Sequence, residues 1–542
     1  MRALVSGMSQ GFPSRETRFA ALGTRAFDLL VIGGGITGCG IARDAALRGL
    51  SVALVEKDDF ASGTSSRSSR LVHGGVRYLE NGQLHLVFES SAERRRLLRL
   101  APHLVRPLQF TWPVYRGDRV PRWKLGAGLL LYDALALFRN VGRHKRMGPR
   151  DVLEHEPMLQ PDGLVGGARY YDAATNDARL TLANALSADE AGAVVLNHVA
   201  ATGLRFDGGR VSGAVVRDTL TGQQTDVRAA VVVNATGPWS DAVRSFDEHA
   251  APAVRGSKGA HIAVPRERVG NTYALTLTAP SDGRVFFVLP ADSQAIIGTT
   301  DGYTTSSPDQ VRASNDDVRY LLDSANAFFP AAKLGPGDVV SAWAGIRPLL
   351  PSAGDGPGAA SREHAITTTA HGLISITGGK LTTYRVMAAD VVNVVFHQLG
   401  KPAVDDRTRT MPLFGGDFAS INGVIADAVR STNDIPLATH LVSSYGARWS
   451  AVWREMNAPD GAITLVDGLP YSVGEMRYCA RAESACTLGD LFIRRTHLAF
   501  ETRDHGLATA SLLAPFLGWN TEGQRRALAW YAAEVERTFS VE

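Results

Sequence analysis

The run from Asp28 to Gly38, Asp-Leu-Leu-Val-Ile-Gly-Gly-Gly-Ile-Thr-Gly, constrains this chain more than any other stretch. An apolar strand ends in three glycines, a fourth follows, and a helical pattern continues from Ile41 to Leu47. Gly33, Gly35 and Gly38 hold the spacing of a dinucleotide fingerprint. The first glycine permits the tight turn, the second lets backbone approach a pyrophosphate, and the third allows close helix–strand packing. The pyrophosphate is expected on the N–H groups and positive dipole of the helix N-terminus. A second strand, 51–55, runs into Glu56, whose carboxylate is positioned to bind ribose hydroxyls. Strand, turn, helix, strand and acid follow in order, so the segment reads as an adenine-dinucleotide site.

The chain has 542 residues, which predicts two or three domains. Lys and Arg number 57 against 54 Asp and Glu, a net charge of +3 that is too mild to argue for nucleic acid. Three cysteines, Cys39, Cys479 and Cys486, are too few and too irregularly spaced for a disulfide framework or a zinc site. No metal-ligand cluster is expected, Cys39 reads as a small packing residue, and a reducing cytoplasmic setting fits. Residues 1–26 carry four arginines, one acid and no apolar core of a secretion signal, and are expected to be a disordered tail. No stretch approaches the roughly 20 uninterrupted apolar residues of a spanning helix. The nearest, Leu125 to Phe138, is flanked by Arg122, Lys124, Arg139, Arg143, Lys145 and Arg146. It reads either as a buried helix with solvated ends or as a segment lying on an anionic membrane surface.

A Ser/Arg/Gly-rich stretch at 61–80 follows the first βαβ unit, then a helical pattern at 84–100 with Glu89, Glu93, Arg94, Arg95 and Arg96 on one side. Residues 178–191 read as a helix. Strands near 194–196, 202–206, 211–217 and 227–233, with glycine turns between them, form a meander that ends in Asn234-Ala235-Thr236-Gly237-Pro238-Trp239. FAD-type Rossmann domains often carry such an insertion and simple NAD domains lack it. Alternating strands at 261–300 suit an antiparallel wall of a substrate site. A helix near 315–329, a strand at 341–346, a flexible loop at 352–361 and a strand at 372–377 lead into Gly378-Gly379-Lys380 and a helix from Thr382 to about Gln398. Residues 399–416 read as a linker. Helical patterns dominate beyond, at 420–430, 489–500 and 524–539.

Glycine-rich turns at 33–38, 235–237 and 378–379 each follow a strand, as an extended dinucleotide draped over a sheet requires. Gly378-Gly379 before a helix can aim N–H groups at a second anionic locus, which in a flavin is the N1/O2 edge. Arg77, Arg347, Arg362 and Lys380 stand among glycines or at strand ends rather than on helix faces. Arginine's planar fork suits phosphate and carboxylate oxygens, so their convergence near a flavin predicts an anionic, phosphate-bearing substrate. His261 opens a strand after Gly256-Ser257-Lys258-Gly259 and could take a hydroxyl proton as hydride leaves the adjoining carbon.

The fingerprint with Gly35-Ile36-Thr37-Gly38, and then Thr64-Ser65-Ser66-Arg67-Ser68-Ser69-Arg70-Leu71-Val72-His73-Gly74-Gly75-Val76-Arg77-Tyr78-Leu79-Glu80, resemble FAD-dependent glycerol-3-phosphate dehydrogenases. So do Asp177-Ala178-Arg179-Leu180, Lys258-Gly259-Ala260-His261, Ile297-Gly298-Thr299-Thr300-Asp301, Gly345-Ile346-Arg347-Pro348-Leu349 and Gly378-Gly379-Lys380-Leu381-Thr382-Thr383-Tyr384-Arg385. The likeness spans about residues 27–400, with the C-terminal part resembling the family's cap domain more loosely. It implies an α/β fold: an FAD-binding Rossmann-type domain (27–400), an interleaved antiparallel-sheet substrate domain (roughly 101–177 and 258–345), a linker (401–416) and a mostly helical C-terminal domain (417–542). It implies noncovalent FAD and oxidation of sn-glycerol 3-phosphate to dihydroxyacetone phosphate, with electrons passed to a membrane quinone. By that likeness Arg77, Tyr78, Arg362 and Lys380 bind substrate, Arg347 lies near the reacting oxygen and His261 is the base. Glu56 binds the adenosine ribose, and Thr64, Ser65, Ser69 and Leu71 line the cofactor path. His73, Gly237, Gly379, Lys380 and Thr382 join Gly33, Gly35 and Gly38 around the FAD. The likeness also favours a membrane-surface role for 122–146, places the protein on the inner face of the cell membrane, and leaves a homodimer open. An oxygen-using oxidase of the same fold, an amine or amino-acid oxidase, and a non-catalytic flavin-binding regulator are the competing readings.

Overall fold

Strands buried on both faces are written as continuous apolar runs, and Leu29, Leu30 and Val31 are fully buried at the centre of a mostly parallel sheet. The computed structural model describes residues 14–79, 82–137, 140–247, 253–350 and 363–542, the side chains of Arg77 and Tyr78 excepted. The central strand Ala26–Ile32 pairs in parallel with Val52–Val55 on one side and Gln224–Asn234 on the other. Val194–Leu196 and Ile374–Gly378 extend the sheet outward, and His364–Thr368 closes one edge antiparallel. Helix Ile36–Leu47 packs with Asp177–Glu190 and Tyr384–Gln398 over one face. In the expected meander Val199–Asp207 pairs antiparallel with Arg210–Asp218, which pairs antiparallel with Gln224–Asn234. Cys39 is fully buried and donates to the Gly34 carbonyl, the packing role its position suggested.

The expectation of a disordered tail through residue 26 is corrected over Arg15–Thr24, which is a helix capped by Ser14. Phe19 and Leu22 pack with Phe27, Val227 and Ala229, and Arg15 and Arg18 pair with Asp218 and Asp189. Two apolar anchors and two ion pairs suffice, although the segment's composition looks like that of a solvated tail. Residues 1–13 lie outside the described residues, as does the loop read at 352–361.

The second sheet is largely antiparallel. Val105–Tyr115 pairs with Leu164–Thr175 along nearly its whole length, and Arg255–Pro265 lies between Gln294–Gly298 and Ser341–Leu349. That register sets His261 opposite both Gly298 and Trp343. Helix Leu84–Leu100 falls where expected, but its charged side is not simply solvated. Glu93 is buried and accepts from Arg385 at 2.7 and 2.8 Å, and Arg94 is buried against Asp172.

The C-terminal domain is helical from Ile421, with Thr521–Phe539 its longest helix. The pattern at 489–500 is broken into a π-helical turn, Asp490–Arg495, and a short helix, Leu498–Glu501. This turn brings Arg494 and Arg495 onto Asp59 of the first domain, at 2.7 and 2.6 Å. Glu483 accepts from Arg179 at 2.6 Å. Breaking one partner of such buried pairs typically costs about 3–5 kcal/mol, so the two domains are fastened rather than merely adjacent. The linker read at 401–416 is tied down too: Asp406 pairs with Arg385, and the Leu413 N–H donates to the Leu100 carbonyl at 2.9 Å.

Candidate active site

A cavity of about 990 Å³ opens at the carboxyl ends of the parallel strands and runs to the wall of the second sheet. Its floor is the glycine turn. A β-carbon on Gly38 would stand 1.9 Å from the Gly33 carbonyl oxygen, so the helix can start against the strand only with hydrogen at that position. Gly33 itself has φ +110°, and a β-carbon there would meet the Ala235 carbonyl at 2.8 Å. Gly35, Ile36 and Thr37 thereby present the first turn of a 12-residue helix to the cavity. Ser65 reaches over this end and accepts the Ile36 N–H at 3.0 Å.

Glu56 lines the cavity and accepts from the N–H groups of Gly34 at 2.6 Å and Asp58 at 2.9 Å. Burial pushes its carboxyl up to about 7. Besides lining the cavity, it braces the glycine turn, a role the fingerprint does not announce. Thr64, Ser65, Ser69, Leu71, His73, Gly237, Gly379 and Lys380 also line the cavity, as expected of a cofactor path. Thr64 is additionally bonded to the Ile346 carbonyl at 2.6 Å. Two expected contacts stand behind the wall. Gly38 is spent on helix–strand packing, and Thr382 uses its hydroxyl on the N–H and carbonyl of His73, both at 3.2 Å.

At the far end, His261 is 2% exposed and its Nε2 lies 2.9 Å from Ser69 Oγ. Burial first, then the charges of Arg347 and Arg70, hold its pKa down to about 3. The ring is therefore a neutral imidazole at physiological pH. Gly259, two residues earlier on the same face, leaves room for a guanidinium: a β-carbon there would come within 2.3 Å of Arg347 Nη2. Arg347 donates to Asp301 Oδ1 at 3.1 Å and to Thr299 Oγ1 at 2.9 Å, which aims it along the cavity wall. Lys380 lines the same cavity and donates to Ser90 Oγ at 3.1 Å. Arg362 and the side chains of Arg77 and Tyr78 lie outside the described residues.

Several contributors escaped the sequence reading. Asp172 lines the cavity and accepts from the Gly74 N–H at 2.9 Å, from Tyr132 Oη at 2.7 Å and from Arg94. This buried network fixes the His73-Gly74-Gly75 segment. Arg119 and Arg284 add two cations to the lining. Asp301 appeared only as part of a motif. Arg94 sat among like-looking charges on a helix, and nothing local distinguishes a buried guanidinium there from a solvated one.

The donor set fits an extended dinucleotide. The helix N-terminus faces the cavity, side-chain-free turns leave the backbone approachable, and the volume is large. Comparison with known proteins agrees. A family profile described as FAD dependent oxidoreductase matches residues 28–385, and one described as C-terminal domain of alpha-glycerophosphate oxidase matches residues 406–524. A glycerol-3-phosphate dehydrogenase of Mycobacterium leprae is 39% identical over 539 residues, covering 97% of this chain and 91% of that protein. The human mitochondrial glycerol-3-phosphate dehydrogenase is 40% identical over 511 residues, covering 90% of this chain and 70% of its own length. The crystal structure of a Bacillus halodurans glycerol-3-phosphate dehydrogenase complexed with FAD superposes with a TM-score of 0.80 at 31% identity, covering 97% of this chain and 99% of that one.

Gly38→Val tests the cradle. The new side chain must push the helix off the strand, and each 1.4 kcal/mol of strain lowers cofactor affinity about tenfold. The purified variant is expected to carry little flavin by its visible absorbance, and a full complement would show that the contact is dispensable.

Proposed function

The chain belongs to the FAD-dependent glycerol-3-phosphate dehydrogenase family, and from that premise we propose that it oxidises sn-glycerol 3-phosphate to dihydroxyacetone phosphate with a membrane quinone as final acceptor. FAD is the cofactor; when bound, it supplies the acceptor for the hydride leaving C2 and relays the electrons to the quinone. The observation that carries the reading is the meeting of a cofactor cradle, a neutral buried histidine and several cations in one cavity.

The cations account for the phosphate. Arg347, Lys380, Arg119 and Arg284 line the cavity, and Arg77, Tyr78 and Arg362 are proposed to complete the substrate contacts. A phosphate dianion gains most from cations in a water-poor site, where charge-assisted hydrogen bonds are strong. An amine or amino-acid substrate needs fewer of them. His261 takes the proton of the C2 hydroxyl as the C2–H bond breaks, so the oxygen closes the carbonyl without building up a full negative charge. Arg347 steadies that oxygen, and its own orientation is held by Asp301 and Thr299.

Membrane attachment is supported by helix Arg122–Leu135. Leu125, Leu129 and Tyr132 pack inward, while Trp123, 71% exposed, Leu130 and Leu131 face out beside Arg122 and Lys124. Neighbouring Leu84 and Phe88 on Leu84–Leu100 are exposed as well. Apolar and aromatic side chains ringed by cations suit an anionic lipid surface. The contact proposed is peripheral, and no helix among the described residues is long and apolar enough to cross a membrane.

Anaerobic glycerol 3-phosphate is expected to bleach the flavin absorbance, and a short-chain ubiquinone to restore it faster than oxygen does. A flavin that stays coloured returns the chain to a regulator, and reoxidation by oxygen at equal speed makes it an oxidase. His261→Gln should lower turnover by about 10²-fold with flavin retained. Because the imidazole titrates near 3 in the free enzyme, kcat/KM should show no acid limb from His261 between pH 5 and 8. A limb at 6.5 that vanishes in the variant would contradict the burial. Trp123→Ala with Leu130→Ser and Leu131→Ser should abolish co-sedimentation with phosphatidylglycerol vesicles while activity towards a soluble acceptor persists. Unchanged sedimentation would move the contact elsewhere.

A further inference from the structure

A working histidine is usually oriented by a hydrogen bond at its second ring nitrogen. His261 has none: Nε2 meets Ser69, and Nδ1 is buried without a hydrogen-bond partner. The ring has a face contact instead. It lies parallel to the Trp343 indole, with centroids 5.5 Å apart and planes at 11°. Trp343 is 1% exposed and its own Nε1 is unpartnered, so packing alone fixes the indole.

Trp343 sits in a large buried cluster, and two of its contacts bear on the ring. Phe500 of the C-terminal domain meets Trp343 edge to face, with centroids 5.1 Å apart and planes at 84°. The Arg70 guanidinium lies 4.8 Å from the Phe500 ring centre and 5.6 Å from that of Trp343. Phe500 is itself anchored, since its carbonyl accepts from Gln294 Nε2 at 3.1 Å and from Ser341 Oγ at 3.0 Å. Ser341 and Trp343 belong to the same strand. Arg70 is steadied by His497 Nδ1 at 3.3 Å.

We infer that the C-terminal domain completes the active site: Phe500, with Arg70, clamps the Trp343 indole and so sets the plane of His261, the work a hydrogen bond at Nδ1 does elsewhere. Phe500, Arg70 and Trp343 are positioning residues, and the inference rests on His261 being the proton acceptor. The charges facing the imidazole are Arg70, Arg347 and, through Arg347, Asp301. Around Arg70 stand Asp177, Glu501, Tyr471 and Asp292, with His497 kept neutral by burial and by Arg70. Loss of the Arg70 charge therefore lets the imidazole pKa rise.

The test uses the FAD-loaded full chain. Phe500→Ala should lower kcat by about 10- to 100-fold, the scale of a small misplacement of a reacting group, with the KM for glycerol 3-phosphate little changed. Phe500→Leu gives the same reading with less loss should alanine cost the domain its fold. Carbon-13 labelling at the histidine ε1 position follows the His261 titration directly, with its signal assigned by its disappearance in His261→Gln. Arg70→Met should move that titration upward, and Arg70→Lys should return it. Full turnover in His261→Gln would sink His261 as the proton acceptor yet leave the titration readable. A titration unmoved by Arg70→Met, or an undiminished kcat in a flavin-replete Phe500→Ala or Phe500→Leu, overturns the clamp.

Discussion

The Gly33 carbonyl oxygen stands in the space that a side chain on residue 38 would need, and the rest of the site is built outward from that contact. It fixes how closely the helix starts against its strand, and so where the positive end of the helix opens into the cavity. The loop after the second strand then makes the turn part of a larger frame. Glu56 holds the Gly34 N–H from one side. Three residues on, Asp59 receives Arg494 and Arg495 of the C-terminal domain. A short loop thus joins the cofactor cradle to the docking of the last domain.

Such a frame is costly in charge. Arg179, Arg494, Arg495, Asp59, Glu483 and Asp490 are all buried, and each needs a partner in place. Pairs of this kind add little net stability over apolar packing, but they penalise misplacement heavily. That asymmetry suits an interface which must hold Phe500 against the wall of the cavity. An apolar interface of the same size would tolerate sliding by a fraction of a side chain; a fork of two arginines on one carboxylate does not.

Local patterns were readable where one face or one spacing decided the structure. The fingerprint, the meander and the 378–380 turn follow from apolar runs and glycines and mark part of the cavity lining, and the 84–100 helix follows from its period. The failures have a common cause. Helix Arg15–Thr24, the buried Glu93 and Arg94, and the broken helix at 490–495 each depend on partners hundreds of residues away or on another element's surface. A charged residue carries the same letter whether it is solvated or neutralised in a core. His261 shows the limit well: its candidacy was legible from the Lys258-Gly259-Ala260-His261 segment, but it lies inside strand Arg255–Pro265 rather than opening one, and its unpartnered Nδ1 and its stack on Trp343 are products of strand register.

The cavity sets two demands against each other. A phosphate-bearing substrate requires cations, while burial first, then Arg347 and Arg70, depresses the basicity of the imidazole proposed as the proton acceptor. A bound anion would ease the part of that conflict that comes from charge, while the part that comes from burial stays. On the proposed mechanism a bound dianion offsets Arg347, so an imidazolium at His261 would face a more nearly neutral surround than the resting enzyme offers. Substrate charge and base strength are coupled through the same few ångströms. The phosphate, remote from the carbon that reacts, then contributes to the chemical step as well as to binding, which is how binding energy from a non-reacting group raises turnover.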